Sequence, residues 1–261
     1  MTVSSYAAIK GNCFRTFLPR PEAQVRLVCF PGAGSGANYY RGWVDLLPPS
    51  IELVAAQYPG RQDRYNEAFI TDMAELADEI GRDVSSIEAP MAFFGHSLGA
   101  TIAFEVALRL RPRFPLPIAR LFASARRAPA DCRTSDGQVS VGELGDTAMR
   151  AYIQRLHGAD AAMLGDDLWQ VTVPVLRNDL QLAGRYRYVA GSRLTCPITA
   201  IVAEQDVATV TEPEAHAWAD CTIVSFDSHV LPGGHLYLED DPATLISLLV
   251  EKLRDSLPAV V

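Results

Sequence analysis

The chain has 261 residues, a length that fits one large sheet-based domain. Lys and Arg number 23 against 31 Asp and Glu, a formal charge of −8. That sign argues against a nonspecific nucleic-acid binder or a basic membrane-surface protein, which both need a positive field, and 49% apolar residues argue against a disordered chain.

The first residues, Met1-Thr2-Val3-Ser4-Ser5-Tyr6, lack a basic stretch running into an apolar one, and nowhere do about 18 apolar residues follow one another. The expectation is a single cytoplasmic domain spanning 1–261, with no membrane partner. Cys13, Cys29, Cys132, Cys196 and Cys221 are odd in number and scattered, as reduced thiols are. Neither C-x-x-C nor H-x-x-x-H spacing occurs, so no metal site is expected.

Short, near-continuous apolar runs predict buried strands at Val25–Phe30, Ile51–Gln57, Met91–Phe94, Ala119–Ala123, Pro197–Ala203 and Thr222–Phe226. Helical patterns lie between them. Met73, Leu76, Ala77, Ile80 and Val84 share one face of a helix, and Ala100–Leu110 is a second helical run. Thr211-Glu212-Pro213-Glu214 reads as a capping box. Asp241-Pro242 opens a last helix with Leu245, Leu248, Leu249 and Leu253 on its buried stripe. Strands alternating with helices imply an α/β fold with a mostly parallel central sheet flanked by helices.

One region breaks the rhythm. From 126 to 194 the pattern is helical without a convincing strand, far beyond the ~12–15 residues of an ordinary loop. It carries Met149, Tyr152, Leu156, Met163, Leu164, Leu168, Trp169 and Leu176. Extra core helices at the sheet edge would explain it, but an inserted helical lid over a site is the favoured reading.

Gly95-His96-Ser97-Leu98-Gly99 fits G-x-S-x-G, between a strand and a helix, the context a nucleophile elbow requires. Glycines on both flanks allow the tight turn, and Ser97 stands at a helix N-terminus that favours developing negative charge. A serine hydroxyl needs a base, and the base an orienting acid. His96 lies inside the elbow and points away, His157 falls in the insertion, His216 in the capped helix, and His229 ends a strand run. His235, in Pro232-Gly233-Gly234-His235, follows the last strand, where the order Ser, acid, His puts the base. After the strand Pro197–Ala203 the acids are Glu204 and Asp206, and Asp206 is preferred because it falls at the turn before the capping box. Asp131, Asp227, Asp240 and Asp241 are the remaining carboxylates near strand ends or caps.

Pro31-Gly32-Ala33-Gly34-Ser35-Gly36-Ala37 formally satisfies the dinucleotide fingerprint. A Rossmann site also needs an acid near the end of the second strand, and Ala56-Gln57-Tyr58-Pro59 offers none. The alternative is an oxyanion loop, with the backbone N–H groups of Ala33 and Leu98 as donors.

Phe30-Pro31-Gly32-Ala33-Gly34, Tyr58-Pro59-Gly60-Arg61 with Asp63-Arg64, the elbow, and Gly233-Gly234-His235 with Tyr237-Leu238 come in the order seen in type II thioesterases. Ser124-Ala125-Arg126-Arg127-Ala128-Pro129 and Pro174-Val175-Leu176-Arg177-Asn178-Asp179 also resemble landmarks of that family of free-standing editing enzymes. Leu236 departs from the aromatic often found after the histidine, which leaves pocket shape open. The resemblance implies an α/β-hydrolase fold and hydrolysis of acyl groups from the phosphopantetheine arm of acyl or peptidyl carrier proteins in a polyketide or nonribosomal peptide pathway. The phosphopantetheine comes with the substrate, so no cofactor is implied. Arg61, Arg64, Arg126 and Arg127 are the candidates for meeting the carrier's phosphate or acids, unless they are paired within the molecule. Other serine hydrolases, such as a carboxylesterase or a cyclising thioesterase, and a noncatalytic hydrolase-fold binding protein are the rival readings.

Overall fold

Strands that are apolar on both faces can leave neither face to water. In the computed structural model, which describes residues 11–87, 89–110, 118–131, 145–157, 165–206 and 209–256, the central strands meet that demand. Every residue of Val25–Phe30 (β2), Ile51–Ala56 (β3), Met91–His96 (β4) and Ile198–Ala203 (β6) is buried, as are nearly all of Ile118–Ser124 (β5). With the short Phe14–Arg15 (β1) and Phe226–Leu231 (β7) they form a seven-stranded sheet in the order β1-β3-β2-β4-β5-β6-β7. Only the β1–β3 pair is antiparallel.

Side chains alternate between two cores. Val28, Phe30 and Phe93 pack with helix α1 (Met73–Val84) and helix α2 (Leu98–Leu110) on one face. Leu27, Cys29 and Phe94 meet Tyr40 and Trp43 of a 3-10 helix (Ala37–Asp45) and a C-terminal helix on the other. The buried positions of α1 include Met73, Leu76, Ala77, Ile80 and Val84, the face read from their spacing, and the Asp72 side chain caps the helix by accepting from the Glu75 N–H. From β2 the chain runs outward to β3, then returns past β2 to β4 and on through β7. The strand order therefore reverses between β2 and β4, and a crevice at their carboxyl ends is where such sheets bind ligands.

Between β5 and β6 the described residues hold two helices, α3 (Asp146–His157) and α4 (Asp166–Arg185), and no strand. Met149, Ile153, Trp169, Val173, Leu176 and Leu180 form a small core of their own. Leu168, expected in the apolar pattern, is mostly exposed, while Met163 and Leu164 lie outside the described residues. The capping box closes a single turn, α5 (Glu212–Ala215), with the Thr211 N–H donating to Glu214 Oε2 at 2.9 Å. The chain then continues as a 3-10 helix, His216–Cys221. After β7 come α6 (Tyr237–Asp240) and α7 (Pro242–Ser256), whose buried residues Leu245, Leu249 and Leu253 are joined by Ile246. No described helix is long and apolar enough to cross a membrane.

The last strand is displaced from its expected place. Thr222–Phe226 is not a strand: Ile223 and Val224 are 64% and 55% exposed, and Thr222 makes only an isolated bridge to Leu194. The strand is Phe226–Leu231, half-exposed along its length. An edge strand has a partner on one side only and a face partly in water, so its polar residues hid it from a search for apolar runs.

Candidate active site

The elbow follows from two close approaches. A Cβ on Gly95 would stand 2.4 Å from the Gly99 carbonyl oxygen, and one on Gly99 would stand 2.0 Å from the Phe30 carbonyl oxygen. Neither position tolerates a side chain. Ser97 itself is held at φ 52°, a left-handed conformation that costs a non-glycine residue strain and recurs at functional turns. Its N–H donates to the Ser124 carbonyl at 2.8 Å, which fixes the turn against β5.

Asp206 and His235 reach the same sheet edge from the neighbouring strands. Asp206 is buried just beyond β6, whereas Glu204 is exposed. The loop after β7 is tied to the loop after β6 by the Gln205 N–H, which donates to the Gly233 carbonyl at 3.0 Å. Gly233 adopts φ 109°, a conformation that lets the chain turn His235 back over the sheet. His235 Nδ1 and Asp206 Oδ2 are 2.6 Å apart. That contact occupies one ring nitrogen, and His235 and Ser97 line one cavity together.

The other candidates of the same types are engaged elsewhere. Asp227 binds Arg120, Thr199 and Lys252, His229 is within 3.2 Å of Asp227, and His216 faces Ser228. The Asp241 side chain caps α7 through Thr244. Asp131 is exposed, and the side chain of His157 lies outside the description. His96 turns away from the nucleophile into a buried chain in which Nδ1 is 2.9 Å from Ser124 Oγ, and Oγ is 2.7 Å from the Tyr237 hydroxyl. Its ring packs 5.0 Å from that of His235. Burial pushes the Tyr237 phenol far above its ordinary range, so it remains a neutral hydroxyl in that chain. No local pattern in the sequence joins these three residues.

The loop after β2 makes a type II turn. The Ser35 N–H donates to the Gly32 carbonyl at 3.1 Å, and Gly34 takes the positive φ, 79°, that such a turn demands. The loop leads into a 3-10 helix rather than an α-helix, so the pyrophosphate-binding helix end of a Rossmann site is missing here. Among the described residues none accepts from the Ala33 N–H. Leu98 opens α2, and a first-turn N–H has no acceptor within its own helix. Ala33, Tyr39, Tyr152, Ile153, Leu176 and Leu236 wall the cavity in front of Ser97 and His235.

Three of the four docking arginines are not at the surface. Arg61 makes a two-pronged pair with Asp179, at 2.6 and 2.8 Å. Arg64 binds Glu67 at 2.5 Å and Glu79 at 2.7 Å, and Arg126 donates to Thr101 Oγ1 at 3.1 Å. All three are buried, with their guanidinium groups committed to internal acceptors. Arg127 alone keeps a substantially exposed side chain, 40%, while pairing with Glu214 at 2.7 Å. Asp179 and Tyr39 also stand by this site without a local signal in the sequence: the partner of Asp179 is 118 positions away, and nothing local marks Tyr39.

Residues 25–253 match the model of the thioesterase domain family. The chain belongs to that family. Thioesterase PikA5 of Streptomyces venezuelae is 39% identical over 88% of this thioesterase and 81% of its own length. Among solved structures, the type II thioesterase BorB from the borrelidin biosynthetic cluster superposes with a TM-score of 0.84 at 34% identity, over 92% of this chain and 97% of its own. RedJ, a thioesterase of the prodiginine pathway in Streptomyces coelicolor, gives 0.81 at 35% identity, over 90% and 87%. The sheet is that of an α/β-hydrolase fold, shared with these neighbours.

Proposed function

We propose that this thioesterase is a free-standing type II editing enzyme of the cytoplasm, hydrolysing aberrant or stalled acyl groups from the phosphopantetheine arm of acyl or peptidyl carrier proteins. Ser97 is the nucleophile, His235 the base and Asp206 the orienting acid. The 2.6 Å contact between Asp206 and His235, at the sheet edge where Ser97 is strained into the turn, carries this reading.

His235 Nε2 takes the Ser97 proton as Oγ attacks the thioester carbonyl carbon, and the C=O electron pair moves onto oxygen. The N–H groups of Ala33 and Leu98 hold that oxyanion. Collapse breaks the C–S bond, and the proton on His235 passes to the leaving thiolate. Water, deprotonated by His235, then attacks the acyl-serine, and the acid departs as Ser97 recovers its proton. No resident cofactor enters either half.

Helices α3 and α4 act as the lid, since Tyr152, Ile153 and Leu176 close the cavity from the insertion. Carrier contact is brief and local, because an acidic carrier meets a chain of charge −8, and Arg127 is the remaining cation from the set first considered.

A panel of acyl-carrier thioesters and matched oxygen esters tests the assignment. Ser97→Ala should lower kcat by about 10⁴-fold or more while leaving Tm unchanged. Turnover of acyl-carrier by that variant at the wild-type rate would end the proposed mechanism. A strong preference for oxygen esters would point to a carboxylesterase instead.

A further inference from the structure

We infer that Asp179, with Arg61, is a positioning residue that fixes the oxyanion loop, so that the alignment of the Ala33 N–H depends on the seating of helix α4. The inference deepens the hydrolytic reading above and rests on it.

Asp179 is buried on α4, and its two oxygens are fully engaged. Oδ1 accepts from Arg61 Nη2 at 2.8 Å. Oδ2 accepts from Arg61 Nη1 at 2.6 Å and from the Gly34 N–H at 2.8 Å. Arg61 Nη1 also donates to the Ser35 carbonyl at 3.0 Å. The pair therefore grips the loop by a donor on one side and an acceptor on the other, immediately after Ala33.

That grip matters because of the turn type. Types I and II differ by rotation of the central peptide, here the one joining Ala33 to Gly34. Rotation would carry the Gly34 N–H off the Asp179 carboxylate, so the carboxylate selects one of the two forms. A displacement of about 1 Å at a positioning group is enough to cost on the order of 10²-fold in rate. Leu176, three residues earlier on α4, lies under the same peptide: a Cβ on Gly34 would meet its Cδ1 at 3.3 Å. Helix α4 thus touches the loop through an apolar contact and a charged one.

Arg61 is itself held. Gln57 Nε2 donates to its carbonyl at 2.8 Å, the Gln57 Oε1 accepts from the Ala37 N–H at 2.7 Å, and the Tyr58 ring lies 5.2 Å from its Cζ. On the helix side, Asn178 Nδ2 donates to the Ile70 carbonyl at 3.2 Å. A buried ion pair is weak evidence for stability, since desolvation offsets the attraction, and its worth here lies in orientation.

Removing one partner alone would strand a buried charge, so the test removes both charges at once. Arg61→Met with Asp179→Asn keeps an oxygen that can accept from Gly34, and Arg61→Met with Asp179→Leu keeps none. Both are compared with wild type for kcat and KM on a small acyl N-acetylcysteamine thioester and on p-nitrophenyl butyrate, with Tm as the control for folding. The leucine double should lose about 100-fold in kcat with KM within threefold, and the asparagine double should recover to within about tenfold of wild type. Equal kcat in two doubles of matching Tm would overturn the inference.

A measurement on the wild-type protein stands apart from the variants: the Gly34 amide should exchange its hydrogen slowly, and exchange as fast as that of an open turn would overturn the inference as well. Failure on the thioester with turnover of the nitrophenyl ester would remove the thioesterase reading and leave the clamp comparison intact. A wild-type protein inert to both would remove the two together.

Discussion

The sheet and its helical insertion contribute to the site by different physics. The sheet places Ser97, Asp206 and His235 just beyond the ends of β4, β6 and β7, the first two strands buried and the last half-exposed, where backbone bonds and close glycine approaches leave the turns little freedom. The insertion supplies walls. Tyr152, Ile153 and Leu176 project from two helices around a small core of six residues, and the charged anchor of that core to the loop is the Arg61–Asp179 pair. A rigid edge suits chemistry, which needs tight positioning, whereas a small separate cluster can be repacked without disturbing the sheet. The two regions should therefore respond to mutation differently: the sheet edge in rate, and the cavity-wall residues of the insertion in choice of acyl group, with Asp179 set apart because it acts on the loop after β2 rather than on the wall.

The largest effect expected is at the edge. Asp206→Asn replaces the carboxylate with an amide that cannot hold His235 in the same tautomer or stabilise its protonated form. The loss in kcat should approach 10⁴-fold, with the order of preference among acyl chains unchanged. Stopped-flow or steady-state rates on a set of acyl thioesters would show it. A change of preference at Asp206 would blur the division between the two regions, and a loss below about tenfold would remove Asp206 from its role.

The division also explains what was legible in the sequence. Gly95, Ser97 and Gly99 are local, because a tight turn must be encoded by neighbours, so they could be read directly. The α1 face could be read because helical spacing is local too. His235 and Asp206 required chain order and the positions of strand ends, which apolar runs mark well for β6. The same runs misplaced β7, since Ile223 and Val224 are apolar but exposed, while Asp227 and His229 sit within the strand. Strand β1, two residues long, carries no period to detect. The arginines show the limit most plainly. Their type leaves open whether they face solvent or pair within the molecule; what buries Arg61 is Asp179 on a helix of the insertion, and a partner so remote leaves no pattern at either end.

On the insertion side, Leu176→Ala should enlarge the cavity wall next to Gly34. Truncating a buried leucine costs about 2 kcal/mol or more, but the damage should stay within the small core of α3 and α4. Pocket volume changes of this kind shift discrimination by about tenfold, in the direction of longer or branched acyl groups. The ratio of kcat/KM for a long against a short acyl thioester measures it. An unchanged ratio with a lowered rate on every substrate would place Leu176 with the chemistry rather than with selection.

The smallest effect is expected at the far end of the same strands. Asp227 is the second residue of β7, paired in register with Thr199, at the opposite end of the strands from the cavity. Partial burial pushes its carboxyl up, but hydrogen bonds from Lys252, Thr199 and His229 outweigh that and hold it at about 2. Arg120 adds a further contact at 3.0 Å. An unfolded aspartate titrates near ~3.9. The stabilisation from the ionised group is thus fully present above about pH 4 and is lost as pH falls through about 2. Tm of the wild type should drop more steeply across that window than Tm of Asp227→Asn, while kcat of the two at neutral pH stays within twofold. Parallel Tm curves would mean that Asp227 carries no acid-dependent stability. A changed kcat would mean that the two ends of the sheet are not independent, because Thr199 and Ala203 belong to the one strand, β6, that runs from Asp227 to Asp206.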